Sequence, residues 1–182
     1  MAQAVTHILV PLILIALFRD FYWKRRKNAK NSFPLHYVLI AGLSGILPDI
    51  DLVLYWIFGS FGLSVEAIHR TFTHSIFFPL VFLILFFVLK NGKIPGLGRH
   101  KLKINVICLM IAFGSFVHLI LDAVVTGKII PLYPLNNYVV GLNIVQYLPQ
   151  TLQGLAMPTL DGILLIIWLV YLEWKHKIGD FI

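Results

Sequence analysis

The chain has 182 residues, of which 59% are hydrophobic and only 13% charged, about half the charged share of an ordinary soluble domain. With a mean hydropathy of +0.86 and the length of a single domain, this excludes a soluble globular enzyme and a multidomain architecture. One cysteine, Cys108, excludes an intrachain disulfide and a thiolate zinc cluster, so a metal would have to be held by His and Asp.

A membrane span needs roughly 20 predominantly apolar residues, fewer where polar ends snorkel. The first candidate is 4–18. No Lys or Arg precedes it and no small-residue cleavage site closes it, so it reads as a retained span. The second is 36–58, in which Gly42 and Gly45 allow a neighbouring helix to come close and Pro48 disturbs the helix near its outer end. The third, 75–89, carries a phenylalanine series that reads as lipid-facing or core packing, with Thr73 or Ser75 as candidate caps at its start. The fourth is 104–125. The segment 126–158 holds Pro131, Pro134, Pro149 and Pro158 among Asn and Gln side chains, which predicts an outer loop, re-entrant or with an interfacial helix near 139–148, and a candidate lid. The fifth span is 161–174. The expectation is an all-α, polytopic helical bundle of about five spans and a single domain over 1–182, with a long outer loop.

Charge fixes the expected orientation. Five crossings put 19–34, 90–103 and the segment after Trp174 on one side, and these hold thirteen of the fifteen Lys and Arg residues, leaving Arg70 and Lys128 opposite. The positive-inside rule makes that side cytoplasmic, with the N-terminus and the other loops outside. The net charge of +7 then reports orientation and contact with anionic lipid rather than nucleic-acid binding.

The remaining ionisable residues gather at the opposite face. His7 opens the first span, Asp49 and Asp51 lie in the outward half of the second, His69 and His74 lead into the third, His118 and Asp122 end the fourth, and Asp161 begins the fifth. Such groups are costly in a membrane and default to functional hypotheses. So many imidazoles and carboxylates at one depth suggest a cation. His118 and Asp122, four apart on a helix, point from one face and can grip one ion. In the Pro48-Asp49-Ile50-Asp51 run a broken helix lets two carboxylates two residues apart converge. Three competing readings exist: His7 as an interfacial histidine, Asp161 as a cap for a helix begun after Pro158, and Asp49 with Asp51 as ion-pair partners of Arg70. Histidine and carboxylate donors without thiolate suit zinc, manganese or iron(II), and their number points to two ions. An Asp outside the ligand set would serve as general base, and Arg70 would hold a substrate phosphate.

In order along nearly the whole chain, His7, Leu47-Pro48-Asp49-Ile50-Asp51, His69-Arg70-Thr71-Phe72-Thr73-His74-Ser75, His118-Leu119-Ile120-Leu121-Asp122 and Pro131-Leu132-Tyr133-Pro134 resemble the YdjM-like family of bacterial and archaeal inner-membrane proteins, regarded as metal-dependent hydrolases. The resemblance implies a metal site formed by His7, Asp49, Asp51, His69, His74, His118 and Asp122. The order of ligands is more distantly similar to zinc-dependent phospholipase C and related nucleases, whose later H-x-x-x-E pair has no counterpart here. The expected function is a membrane-bound metal-dependent hydrolase, cleaving phosphoester bonds of a lipid or lipid-linked substrate near the outer face, with Asp49, Asp51 and Arg70 as catalytic candidates. The rival expectation is a divalent-cation transporter or metal-binding sensor.

Overall fold

The computed structural model describes residues 4–23, 33–53, 72–90, 96–97, 101–127 and 129–176, and every named element among them is helical. The helices are α1 (Ala4–Leu17), α2 (Leu35–Ser44), α3 (Phe77–Leu89), α4 (Ile104–Leu121) and α5 (Gln150–His176). Both α1 and α4 run on into π-helical turns, Phe18–Trp23 and Asp122–Thr126, and short 3₁₀ turns cover Phe72–His74 and Ile144–Tyr147. Ala4–Tyr22, Ile104–Val125 and Gln150–Lys175 are long and apolar enough to cross a membrane, while α2 and α3 are shorter apolar helices.

The packing of α1, α2 and α4 gives the molecule two distinct ends. Leu12, Ile15 and Ala16 of α1 bury against Tyr37, Val38 and Ala41 of α2 and Met110 of α4, forming an apolar core around the end where α1 finishes and α2 begins. Because α1 leads into this core while α2 and α4 lead out of it, the start of α1 and the ends of α2 and α4 meet at the other end. Their backbones come unusually close there. A Cβ on Gly114 would lie 2.4 Å from the carbonyl oxygen of Ala41, and one on Gly45 only 1.9 Å from that of His7. These glycines let three helices converge, as small residues do in membrane bundles.

Helix α5 is held differently. Its buried side chains include Met157, Asp161 and Tyr171, and most of its large apolar residues are exposed, as suits a helix facing lipid. Two polar clasps tie it to α1. At one end the Thr6 hydroxyl donates to the Asp161 carboxylate; at the other the Tyr171 hydroxyl donates to Asp20, whose second oxygen lies 3.3 Å from the Arg19 guanidinium.

Four sequence expectations need correction. The outer loop does not run to Pro158, because α5 begins at Gln150 and carries Pro158 inside it; proline is tolerated in membrane helices, where neighbouring groups satisfy the freed carbonyl. Asp161 therefore sits well within a helix and caps nothing. The second helix ends at Ser44, with turns over 45–49 and helical backbone again at 50–53; residues 54–58 of the expected span lie outside the described residues. Neither Thr73 nor Ser75 caps α3. The Ser75 hydroxyl donates back to the Phe72 carbonyl and the Thr73 hydroxyl goes to Asp51. Within 129–149 the expected interfacial helix is reduced to the short Ile144–Tyr147 turn. This loop is strapped beside the end of α4 by the Leu142 amide on the Ala123 carbonyl, and to the start of α3 by the Ile76 amide on the Pro131 carbonyl.

Candidate metal centre

Five side chains converge where the helices meet. His7 comes from the first turn of α1, Asp49 from the turn after α2, His74 from the 3₁₀ turn before α3, and His118 and Asp122 from the end of α4. His7, His74 and His118 are 1% exposed or less. Three imidazoles buried beside carboxylates would be a heavy desolvation cost without a partner.

The donor atoms form a polyhedron. His74 Nε2 and His118 Nε2 are 3.2 Å apart. Asp49 Oδ1 lies 3.3 Å from the first and 3.7 Å from the second; Asp122 Oδ2 lies 3.6 Å and 3.5 Å from the same two atoms. A tetrahedral ion with bonds of about 2.0–2.1 Å separates its donors by roughly 3.3–3.4 Å. These five spacings fall close to that value, so the residues fit a transition-metal ion. His7 completes the group from the side: its ring stacks on that of His118 with centroids 3.9 Å apart, and its Nε2 faces the other oxygen of Asp122 at 3.4 Å. Two triads within the cluster meet the spacing of a metal site, His7 with His118 and Asp122, and Asp49 with His74 and His118.

The outer nitrogens explain why the inner ones are free to ligate. His118 Nδ1–H donates to the Gly45 carbonyl at 2.7 Å, which turns the lone pair of Nε2 to the centre. His74 Nδ1 has Asp51 Oδ2 at 3.3 Å and the Thr73 hydroxyl at 3.2 Å, and Thr73 in turn donates to Asp51 at 2.8 Å. The broken helix at Pro48 therefore does bring Asp49 and Asp51 together, but around one imidazole and not around one ion: Asp49 meets Nε2 and Asp51 meets Nδ1. Asp51 is placed to orient His74. Asp161 lies outside both triads and accepts from Thr6. His69 and Arg70 lie outside the described residues. The Gly45 carbonyl, Thr73 and Thr6 were missed as parts of the site; adjacency to His74 and His7 was the only signal for the two threonines, and a backbone carbonyl leaves none.

Burial disfavours a charged His74, but its hydrogen bonds to Asp49 and Asp51 and the charges of Asp51 and Asp122 outweigh this and raise its pKa from 6.5 to about 9. Protonated His74 then stabilises the metal-free fold fully below pH 6.5, a contribution lost as the pH rises through about 9. A metal must displace that proton. Zinc affinity is expected to rise with pH across this window, with about one proton released from His74 per ion at neutral pH. Titration calorimetry in buffers of different ionisation enthalpy measures the release; uptake without proton release would contradict the assignment.

Fold and site together define a helical membrane protein with a buried His/Asp cluster able to hold a metal ion. The family model described as YdjM inner membrane protein matches residues 1–177, and the chain belongs to that family. No curated protein and no solved structure matches it.

Proposed function

We propose that this protein is a membrane-embedded metal-dependent hydrolase that cleaves a phosphoester bond in a lipid or lipid-linked substrate. The observation that carries the reading is the close set of donor atoms from His74, His118, Asp49 and Asp122, with five spacings between 3.2 and 3.7 Å. Zinc is the ion that this N/O set suits best, with manganese or iron(II) as the other fits. Since the two triads share His118 Nε2, whose single lone pair serves one ion, the described residues favour one ion over two. A divalent ion held there supplies a bound water of lowered pKa and a Lewis acid for a phosphoryl oxygen.

The chain's own residues divide the remaining work. His74 and His118 side chains are fully buried and that of Asp122 is 5% exposed, whereas that of Asp49 is 22% exposed. Asp49 is thus the ligand-set carboxylate that substrate and water reach; its Oδ1 faces the two imidazoles, and in place of an Asp outside the ligand set we assign its second oxygen as base. Asp51 keeps His74 in its ligating tautomer. Arg70, four residues before His74 in sequence, is the proposed phosphate-holding group. The positive-inside rule puts the centre toward the outer face of the cell membrane, where a lipid headgroup reaches it. The apolar core beneath the cluster favours a one-sided site over a transport path among the described residues.

The test is hydrolysis by detergent-purified, zinc-loaded protein of phospholipids and lipid-linked diphosphates, read as headgroup or phosphate release. Metal-dependent turnover is expected, falling roughly 100-fold or more in Asp49→Asn. Fully metal-loaded protein inert toward both substrate classes would overturn the hydrolase reading and favour a sensor or carrier of the ion.

A further inference from the structure

The three imidazoles of the cluster share one arrangement, with a single gap. Each turns Nε2 inward, toward carboxylate oxygens of Asp49 or Asp122. Two have an acceptor at the outer nitrogen, the Gly45 carbonyl for His118 and Asp51 for His74. His7 Nδ1 is buried without a hydrogen-bond partner, and only one other buried side-chain polar atom among the described residues shares that condition: Asp161 Oδ2.

These two atoms flank the same residue. Asp161 is 7% exposed and His7 1%, and the other oxygen of Asp161 accepts from Thr6, the neighbour of His7 in α1. A buried ring nitrogen and a buried carboxylate oxygen each lose solvation in an apolar setting, and a single water, which needs two or more polar partners of this kind, would satisfy both.

We propose that Asp161 is a positioning residue of the metal centre: across one bridging water its free carboxylate oxygen accepts the Nδ1–H of His7, and so holds the His7 Nε2 lone pair toward the ion. Helix α5, which contributes no member of either triad, then becomes part of the site. Loss of Asp161 would loosen His7 even though no direct hydrogen bond joins these two atoms, and the Thr6 clasp serves to fix the carboxylate at the right depth. The proposal rests on the metal-centre reading given above.

The probe is Co²⁺ added to the detergent-purified full chain, followed by its visible absorption spectrum and by competition for the ion. Asp161→Leu is expected to weaken Co²⁺ binding about 10–100-fold and to shift the spectrum in the same way as His7→Ala. The double variant should bind no worse than His7→Ala alone, and Asp161→Glu should recover part of the wild-type spectrum. Thermal melting of the metal-free forms separates folding from positioning. If Asp161→Leu melts earlier but keeps the wild-type affinity and spectrum, or if its effect simply adds to that of His7→Ala, Asp161 only clasps two helices and the proposal is overturned. Failure of the wild-type chain to take up Co²⁺ would overturn the metal centre itself, a separate outcome.

Discussion

Changing His118 and Asp122 together to alanine is expected to lower zinc affinity by about ten-thousandfold, because it removes two of the four donors and zinc sites of this kind gain roughly 10–16 kcal/mol over their whole ligand set. The two imidazoles matter most: His118 Nε2 and His74 Nε2 each take part in three of the five edges, against two for each carboxylate. Asp51→Ala provides the comparison. Asp51 meets the outer nitrogen of His74 and the Thr73 hydroxyl and belongs to neither triad, so its loss should cost about 10–100-fold, the usual effect of a residue that orients a ligand. Competition with a chromophoric chelator measures both. An Asp51→Ala variant as damaged as the double variant would show that Asp51 binds the ion directly.

The second large effect is expected at Gly45. A methyl group there would lie 1.9 Å from the His7 carbonyl oxygen and 2.8 Å from its carbonyl carbon; backbone cannot swing aside as a flexible side chain can. Gly45→Ala should therefore destabilise the fold by about 3 kcal/mol, the upper end of ordinary overpacking. It should also abolish metal binding, since pushing α1 away from Gly45 displaces His7 and disturbs the carbonyl that fixes His118. Gly154→Ala and Gly162→Ala are the controls. A Cβ at either position meets nothing within 4 Å, so these changes should leave melting unchanged or raise it slightly. Thermal melting in detergent, with and without zinc, distinguishes the two classes; a Gly45→Ala protein that melts and binds zinc like wild type would refute the close approach of α1.

The helical membrane class and the gathering of His and Asp at one end were legible in the sequence because both follow from one-dimensional features: apolar run length, and the position of each ionisable residue along its run. The pairing of His118 with Asp122 was legible for the same reason, since a spacing of four on a helix fixes a shared face. What spacing could not disclose is how the turn after Ser44 folds. Whether Asp49 and Asp51 grip one ion or opposite sides of one imidazole depends on backbone angles around Pro48. The course of the last helix was not legible because polar Gln150 and Gln153 read as loop residues and Pro158 as a stop, although lipid-facing helices accept both. Asp161 then shifted from a terminal position to a mid-helix one, and only the packing of α5 on α1 shows that it meets Thr6. Gly45 was recognisable as a packing glycine, but not as the source of the carbonyl that sets the tautomer of His118.

The most direct test of the account is X-ray absorption at the zinc edge of the loaded, detergent-purified chain. About one ion per chain is expected, in a shell of four to five nitrogen and oxygen donors near 2.0–2.1 Å, with outer-shell scattering from at least two imidazoles. A chain that stays zinc-free on loading, or a zinc shell without imidazole scattering, would contradict it.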